Sequence, residues 1–273
     1  MPRVLSVLSR PKPERRFQRG VYLLPSLLTV ANMFLGWASI LLAMRGDYGT
    51  AAPLIGFAMV LDTLDGRIAR LTGATSEFGE EFDSLADVIS FGLAPAILVF
   101  AWGLQPLGRI GWAAGFIYMT ATAMRLARFN IQGKTTDKRH FVGLPSPPAA
   151  GVLAATVFAY PETLTTGTES VLALFLVLVP AILMVSRMRF LSITTMIPEG
   201  RRSSLSLIVI AGVIAAIAAQ PQAVLLVMAY VYLLSGPLGL LWSRVVRKHS
   251  RLSERADDLS PDRPRPAGTN ESS

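Results

Sequence analysis

Four aspartates stand in a largely apolar part of the chain, at spacings suited to binding a metal ion. Asp62 and Asp65 are three residues apart, and Asp83 and Asp87 are four residues apart. On a helix, either spacing places the two side chains of a pair on one face. A charged carboxylate inside a membrane helix costs roughly 2.5–3.5 kcal/mol on insertion scales. Four of them therefore indicate a functional centre in which a bound cation compensates their charge.

The ligand type narrows the choice of metal. Four facing carboxylates repel one another unless cations lie between them, and an all-oxygen ligand set favours Mg²⁺ or Mn²⁺ over zinc. We therefore expect a site for two such ions. The chain contains no cysteine, which excludes disulfides, thiolate catalysis and Cys-ligated metals within it. Its two histidines, His140 and His249, are too few for a His-ligated centre.

Small residues beside the aspartates predict room for a phosphate group. Gly66 and Ala69 each follow an aspartate by four residues and share its helix face. Arg70 lies one turn beyond Gly66 and can reach a pyrophosphate with a bidentate guanidinium contact. Gly79 lets the chain pass close to the site. Glycine and alanine in membrane helices often serve close packing instead, but packing explains none of the aspartates.

Composition places these residues in a membrane protein. The chain has 52% hydrophobic and 16% charged residues and a mean hydropathy of +0.47, which is too apolar for a soluble domain of 273 residues. A run of about 20 apolar residues crosses roughly 30 Å of hydrocarbon. Such runs predict an all-α polytopic protein with about eight transmembrane helices, near 25–45, 49–70, 82–103, 109–130, 147–164, 168–187, 203–219 and 222–243.

The basic residues predict how these helices are oriented. If the N-terminal tail is cytoplasmic, 24 of the 26 Lys and Arg fall in inside segments, and only Arg45 and Arg109 lie in outside turns. Cytoplasmic loops carry this bias. Both termini and the aspartate site are therefore expected at the cytoplasmic side of the inner membrane. Juxtamembrane attraction to anionic membrane lipids accounts for the net charge of +8, so nucleic-acid binding is not expected.

The chain divides into three segments. Residues 1–24 form a basic cytoplasmic tail in which an interfacial helix can form, and no cleavable signal peptide is expected. Residues 25–243 form the transmembrane domain. Residues 244–273 are predicted to be a disordered cytoplasmic tail, because their last part is rich in Ser, Asp, Arg and Pro.

The string from Asp62 to Asp87 resembles the signature of the CDP-alcohol phosphatidyltransferases, with every fixed position present. These membrane enzymes move a phosphatidyl group from a CDP-linked lipid to an alcohol and release CMP. The resemblance implies a homodimer with a six-helix core, here followed by two further helices. It also implies that Asp62, Asp65, Asp83 and Asp87 hold two divalent ions and that Asp87 is the general base.

The same resemblance assigns the contacts to the CDP-linked lipid. It implies that Gly66, Arg70 and Ser76 contact the CDP moiety, beside the small residues Ala69 and Gly79. Asn32, a polar residue within the first helix, is expected to face the nucleotide as well.

The acceptor is suggested by other segments that resemble the phosphatidylserine synthase branch of this family: 25–32, 125–130 and 143–148. Serine carries a carboxylate, and Arg125 and Arg128 lie three residues apart on one helix face, where they can form a fork for it. Asn130 is the last residue of the segment 125–130, and it is also predicted to contact the acceptor. The two arginines also suit glycerol phosphate or inositol phosphate, and arginines at helix ends commonly snorkel to the headgroups. The expected reaction is transfer from CDP-diacylglycerol to L-serine, with a phosphorylated acceptor as the alternative.

Two other classes of membrane protein place acids within helices. A transporter does so, but it has no particular use for Gly66, Ala69 and Arg70 at these offsets, and the chain shows no internal repeat of the kind common in transporters. A membrane prenyltransferase also pairs aspartates with Mg²⁺ around a pyrophosphate, but it lacks the continuation through Arg70. It releases pyrophosphate, whereas the expected reaction releases CMP.

Overall fold

The computed structural model describes residues 16–73, 76–132, 141–186, 188–190 and 204–258. Within these residues the chain is helical apart from turns and one pair of two-residue strands, which confirms the predicted all-α membrane-protein fold. The helices are α1 (Arg16–Met44), α2 (Tyr48–Thr72), α3 (Glu77–Asp87), α4 (Ala94–Val99), α5 (Arg109–Gln132), α6 (Ser146–Ala159), α7 (Gly167–Val185), α8 (Ser204–Ala219) and α9 (Pro221–Asp258).

The third predicted transmembrane helix consists of consecutive α-helical, π-helical and 3-10 stretches. After α3 the chain continues through a π-helical stretch, Val88–Leu93, which we call the first π segment. It then passes through α4 into a second π segment, Phe100–Leu104, and a 3-10 turn, Gln105–Leu107. The whole stretch from Glu77 to Leu107 is one continuous apolar span.

A short antiparallel pair joins the two loops at one end of the bundle, with β1 (Phe141–Val142) beside β2 (Arg189–Phe190). Gly143 follows β1 with φ +89°, and its N–H donates to the Met188 carbonyl at 2.8 Å. A Cβ at this position would clash with the carbonyl oxygen of Met184. Only glycine accommodates both the positive φ and this close approach. The chain just before α6 therefore packs directly against the end of α7.

The helices pack around one core. α1 lies along α2, α2 and α9 pack on α6, and α5 packs on α7. The largest fully buried side chains come from most of these elements: Ile55, Phe91, Leu98, Leu104, Tyr118, Leu144, Leu153 and Met184. Large apolar side chains on the outer faces are exposed, as expected where lipid replaces water: Leu27, Phe34, Trp37, Phe57, Phe116, Leu172 and Phe175.

Four helical stretches among the described residues are long and apolar enough to cross a membrane: Leu24–Met44, Glu77–Leu107, Gly167–Val185 and Pro221–Gly239. Two other apolar helices, Ser146–Ala159 and Ile208–Ala219, are shorter. All eight predicted helices have a helical counterpart, but the number of membrane crossings stays a prediction.

The ends of the helices differ from the prediction in three places. Residues 244–258, predicted to be disordered, continue α9 as far as Asp258. After Gly239 the next glycine or proline is Pro261, and the residues between are mostly good helix formers, so nothing interrupts the helix. α1 begins at Arg16 and so takes in the end of the predicted basic tail. α6 stops at Ala159 rather than near residue 164, because Pro161 disfavours helix in the residue before it. Residues 1–15 and 259–273 of the predicted tails lie outside the described residues.

Candidate active site

α2 carries the first aspartate pair near its C-terminal end. The helix begins at the N-cap Asp47, whose side chain accepts a hydrogen bond from the Thr50 N–H at 3.2 Å. It ends at Gly73, which adopts the left-handed conformation with φ 65° and donates its N–H to the Ala69 carbonyl. This glycine cap is a common way to end a helix. It places Asp62 and Asp65 two to three turns before the chain reverses.

α3 carries the second pair and begins at a side-chain cap. The Ser76 hydroxyl accepts a hydrogen bond from the Gly79 N–H at 3.0 Å. A Cβ on Gly79 would lie 3.1 Å from that hydroxyl oxygen, so glycine keeps the cap uncrowded. Glu77 and Glu80 occupy the first turn, where acids favour the positive end of the helix dipole.

Three of the four aspartates converge between α2 and α3. One carboxylate oxygen from each of Asp62, Asp83 and Asp87 lies within 4.8 Å of the other two. Asp83 and Asp87 each keep one buried oxygen that has no hydrogen-bond partner among the described residues. Buried polar atoms are normally paired, and like charges this close repel one another. The three carboxylates can therefore hold a metal ion, and their all-oxygen chemistry fits Mg²⁺ or Mn²⁺.

Asp65 lies outside this group of three. Its side chain is buried, with 3% exposed, and it accepts a hydrogen bond from the Thr29 hydroxyl at 3.0 Å. It nevertheless interacts electrostatically with Asp62 and Asp83. Thr29 on α1 thus orients the fourth carboxylate beside the cluster.

The small residues leave the surface beside Asp62 open. A Cβ placed on Gly66 would meet only the Arg70 guanidinium, at 3.9 Å. Arg70 is exposed, and its Nε donates to the Gly66 carbonyl at 2.8 Å. Ala69 is partly buried on the same part of the helix. The guanidinium group of Arg70 therefore lies beside an uncrowded surface near the end of α2.

The sequence that forms this site matches a known protein family. The family model for CDP-alcohol phosphatidyltransferases matches residues 22–186, which is more than half of the chain and includes all four aspartates. The chain belongs to the CDP-alcohol phosphatidyltransferase family. The match ends at the close of α7, so α8 and α9 lie beyond it.

The similar curated proteins carry related names. A CDP-diacylglycerol–serine O-phosphatidyltransferase of Helicobacter pylori is 42% identical over 172 residues, which are 62% of this chain and 72% of the relative. An archaetidylserine synthase of Methanothermobacter thermautotrophicus is 36% identical over 170 residues, 61% of this chain and 69% of the relative. A CDP-diacylglycerol–serine O-phosphatidyltransferase of Bacillus subtilis is 34% identical over 146 residues, 53% of this chain and 81% of the relative.

Asn32 stands out in this CDP-alcohol phosphatidyltransferase as a fully buried amide. Its exposed fraction is 0%, and neither its side-chain oxygen nor its nitrogen has a hydrogen-bond partner among the described residues. It lies one turn after Thr29, which bonds to Asp65, and its backbone carbonyl accepts from the Ser90 hydroxyl at 3.1 Å. An unpaired buried amide is costly, so this side chain suits a polar ligand.

The predicted acceptor residues lie on the last two turns of α5. The Arg125 guanidinium donates to the Ser146 hydroxyl at 2.8 Å, at the first residue of α6. It also interacts electrostatically with Asp62 and Asp87. Arg125 therefore connects the acidic cluster to the start of α6.

The other two predicted acceptor residues have different partners. Arg128 donates to the Val185 carbonyl at the end of α7, at 3.1 Å. Asn130 donates through its side-chain amide to the Ser84 hydroxyl on α3, at 2.9 Å. The three side chains thus join α5 to α6, α7 and α3 respectively, around the cytoplasmic end that the sequence predicts.

Ser84 and Ser146 were not among the predicted site residues. Ser84 lies 46 positions from Asn130, and Ser146 lies 21 positions from Arg125. No helical periodicity marks partners that are brought together only by tertiary packing. The one available signal for Ser84 is its position one residue after Asp83, on a helix that carries the cluster.

Proposed function

We propose that the chain transfers the phosphatidyl group of CDP-diacylglycerol to the hydroxyl of L-serine, giving phosphatidylserine and CMP. The observation that carries this proposal is the convergence of Asp62, Asp83 and Asp87 in a member of the CDP-alcohol phosphatidyltransferase family. The names of the similar proteins from Helicobacter and Bacillus support serine as the acceptor.

The four aspartates would hold two divalent ions, Mg²⁺ or Mn²⁺. Asp62, Asp83 and Asp87 offer converging oxygens, and Asp65 stands beside them with its orientation fixed by Thr29. When bound, such ions neutralise charge on the pyrophosphate oxygens and on departing CMP, which is most of what a protein supplies in phosphoryl transfer.

The chain's own residues would position the CDP group. Gly66 and Ala69 leave room beside the cluster, and Arg70 offers a guanidinium to a phosphate. Ser76 and Gly79 form the exposed cap of α3 at the same end of the helix pair. Asn32 offers a buried amide whose hydrogen-bonding groups are unused among the described residues.

In the proposed reaction the serine hydroxyl oxygen bonds to the phosphorus of the phosphatidyl group. The bond from that phosphorus to the bridging pyrophosphate oxygen breaks, and CMP leaves with its electron pair. Asp87 accepts the hydroxyl proton, a role that fits its one buried oxygen, which has no hydrogen-bond partner in the described part of the chain. Proton transfer by a positioned side chain typically contributes about 10²–10⁴-fold to the rate.

We further propose that the enzyme is a homodimer of the inner membrane, with both termini and the active site on the cytoplasmic side. The distribution of Lys and Arg supports this orientation. The lipid tails of the substrate would then stay in the bilayer while its nucleotide reaches the end of α2 and the start of α3.

A product assay tests the proposal. Purified protein in detergent or nanodiscs is given CDP-diacylglycerol and Mn²⁺ with radiolabelled serine, glycerol phosphate or inositol phosphate in parallel. We expect label from serine in lipid and one equivalent of CMP for each product formed. Incorporation of glycerol phosphate but not serine would refute the acceptor, and release of pyrophosphate instead of CMP would refute the reaction class.

A substitution of Arg125 is expected to weaken the binding of serine without affecting that of CDP-diacylglycerol. Arg125→Lys is expected to raise the KM for serine about tenfold and to change the KM for CDP-diacylglycerol less than twofold. Lysine keeps the charge but loses the planar fork that binds a carboxylate at two points. Steady-state CMP release at varied serine measures the effect, with Arg109→Lys at the far end of α5 as the control. An unchanged serine KM in Arg125→Lys would remove this residue from the acceptor site.

A further inference from the structure

The first π segment begins at the residue directly after Asp87. A π-helical turn takes one residue more than an α-helical turn, and one residue corresponds to about 100° of rotation around a helix. The segment therefore sets the angle between α3, which carries Asp83 and Asp87, and α4, which packs in the core. If the segment changed to α-helical winding, Asp87 would turn away from its present direction.

α5 holds this segment on one side. The Tyr118 side chain is fully buried, and its hydroxyl donates to the Phe91 carbonyl at 3.2 Å. A Cβ on Gly92 would lie 3.3 Å from the Thr122 side chain, so the Gly92 backbone packs directly against this side chain of α5. Phe91 itself is also fully buried, so no water is available to replace the hydrogen bond from Tyr118 to its carbonyl.

α1 holds the segment on the other side. The Ser90 hydroxyl, fully buried, donates to the Asn32 carbonyl at 3.1 Å. A Cβ on Gly36 would come within 2.7 Å of the Ser90 hydroxyl oxygen and 2.8 Å of its Cα. The first π segment is therefore clamped between α1 and α5 by one hydroxyl bond on each side.

We propose that Tyr118 is a positioning residue for the metal-binding carboxylates. By holding the first π segment through the Phe91 carbonyl, Tyr118 fixes the direction in which Asp87 meets Asp62 and Asp83. The proposal rests on the proposed function only in taking the carboxylate cluster as the metal site. It is independent of which alcohol accepts the phosphatidyl group.

The chain supplies a matched control for Tyr118. Tyr48 on α2 is also buried, with 6% exposed, and its hydroxyl donates to the Ala101 carbonyl at 2.8 Å. Ala101 belongs to the second π segment of the same span, on the far side of α4 from Asp87. Tyr118→Phe and Tyr48→Phe thus remove the same atom from the same kind of contact, and only the first contact lies next to the cluster.

The experiment measures Mn²⁺ binding without substrate, by electron paramagnetic resonance of the full chain in nanodiscs. Tyr118→Phe is expected to raise the Kd for Mn²⁺ at least about fivefold and to lower kcat about tenfold, since small misplacements of catalytic groups cost this much or more. Tyr48→Phe is expected to leave both within twofold, while the two variants lose similar amounts of thermal stability. Ser90→Ala removes the bond on the α1 side and is expected to weaken Mn²⁺ binding in the same direction, which keeps a test available if Tyr118→Phe does not fold.

The outcomes separate this inference from the proposed function. Equal effects of Tyr118→Phe and Tyr48→Phe on Mn²⁺ binding, or an unchanged Kd in Tyr118→Phe, would overturn the positioning role. Selective loss of Mn²⁺ affinity in Tyr118→Phe would support it even if the wild type made no phosphatidylserine, which would refute the proposed acceptor alone. A wild type that bound no Mn²⁺ would refute the metal site and this inference together.

Discussion

Replacing Asp87 with asparagine is expected to lower the rate of CMP release at least about 100-fold while CDP-diacylglycerol still binds. Asparagine has nearly the same shape as aspartate but cannot accept the serine proton, and positioned proton transfer contributes about 10²–10⁴-fold. Two measurements check this: steady-state CMP release, and the affinity for labelled CDP-diacylglycerol in nanodiscs.

Glu81→Gln is the matched control for this substitution. Glu81 lies on α3 as well, but its side chain is exposed and outside the cluster of three carboxylates. Glu81→Gln removes one negative charge, as Asp87→Asn does, so the rate of CMP release by this variant should stay within twofold of the wild type. An Asp87→Asn enzyme that turned over at the normal rate would remove the general-base assignment.

Removing divalent ions is expected to abolish CMP release. Asp62, Asp83 and Asp87 place carboxylate oxygens within 4.8 Å of one another, and without a divalent ion these carboxylates would repel the pyrophosphate instead of being bridged to it. Treatment with EDTA should reduce the rate at least about 1,000-fold. Excess Mg²⁺ or Mn²⁺ should restore it.

EDTA saturated beforehand with Mg²⁺ is the control, because it exposes the protein to the chelator without withdrawing ions. This mixture should leave CMP release unchanged. Full activity after exhaustive chelation, verified by metal analysis of the protein, would show that the reaction needs no divalent ion.

Local spacing predicts two aspartate pairs that face one another, and the structure brings Asp62, Asp83 and Asp87 of these four together. Three-residue and four-residue spacings put Asp62 with Asp65 and Asp83 with Asp87 on single helix faces, because the helical period is fixed by backbone geometry. Carboxylate oxygens of Asp62 on α2 and of Asp83 and Asp87 on α3 lie within 4.8 Å of one another. The same local reasoning identified the open surface at Gly66, where a Cβ meets only Arg70.

Contacts between distant parts of the chain were not predictable from spacing. Thr29 lies 36 positions from Asp65, yet its hydroxyl donates to the Asp65 carboxylate and orients it beside the other three. The first π segment packs closely on α1 and α5, at Gly36 and Gly92. It also precedes Pro95, which has no N–H to donate to the Phe91 carbonyl four residues earlier. Neither the Thr29 contact nor the contacts at Gly36 and Gly92 leave a periodic pattern in the sequence, because they depend on which helices become neighbours.

The length of α9 shows a limit of composition as a predictor. The segment from Arg244 to Asp258 was included in the predicted disordered tail because the last part of that tail is rich in Ser, Asp, Arg and Pro, but the segment itself contains no glycine or proline and its residues are mostly compatible with helix. A helix already formed by Pro221 and the residues after it can extend at low cost, because nucleation is the expensive step. The composition of the tail is therefore a weaker predictor for such a segment than the helix that precedes it.

The most direct test of the central claim is to locate Mn²⁺ by anomalous scattering in crystals grown with Mn²⁺ and CDP-diacylglycerol. We expect two anomalous peaks between α2 and α3, in contact with Asp62, Asp83 and Asp87 and beside Asp65, with the pyrophosphate of the substrate against them. Mn²⁺ bound elsewhere, or a nucleotide bound with no ion among these carboxylates, would contradict it.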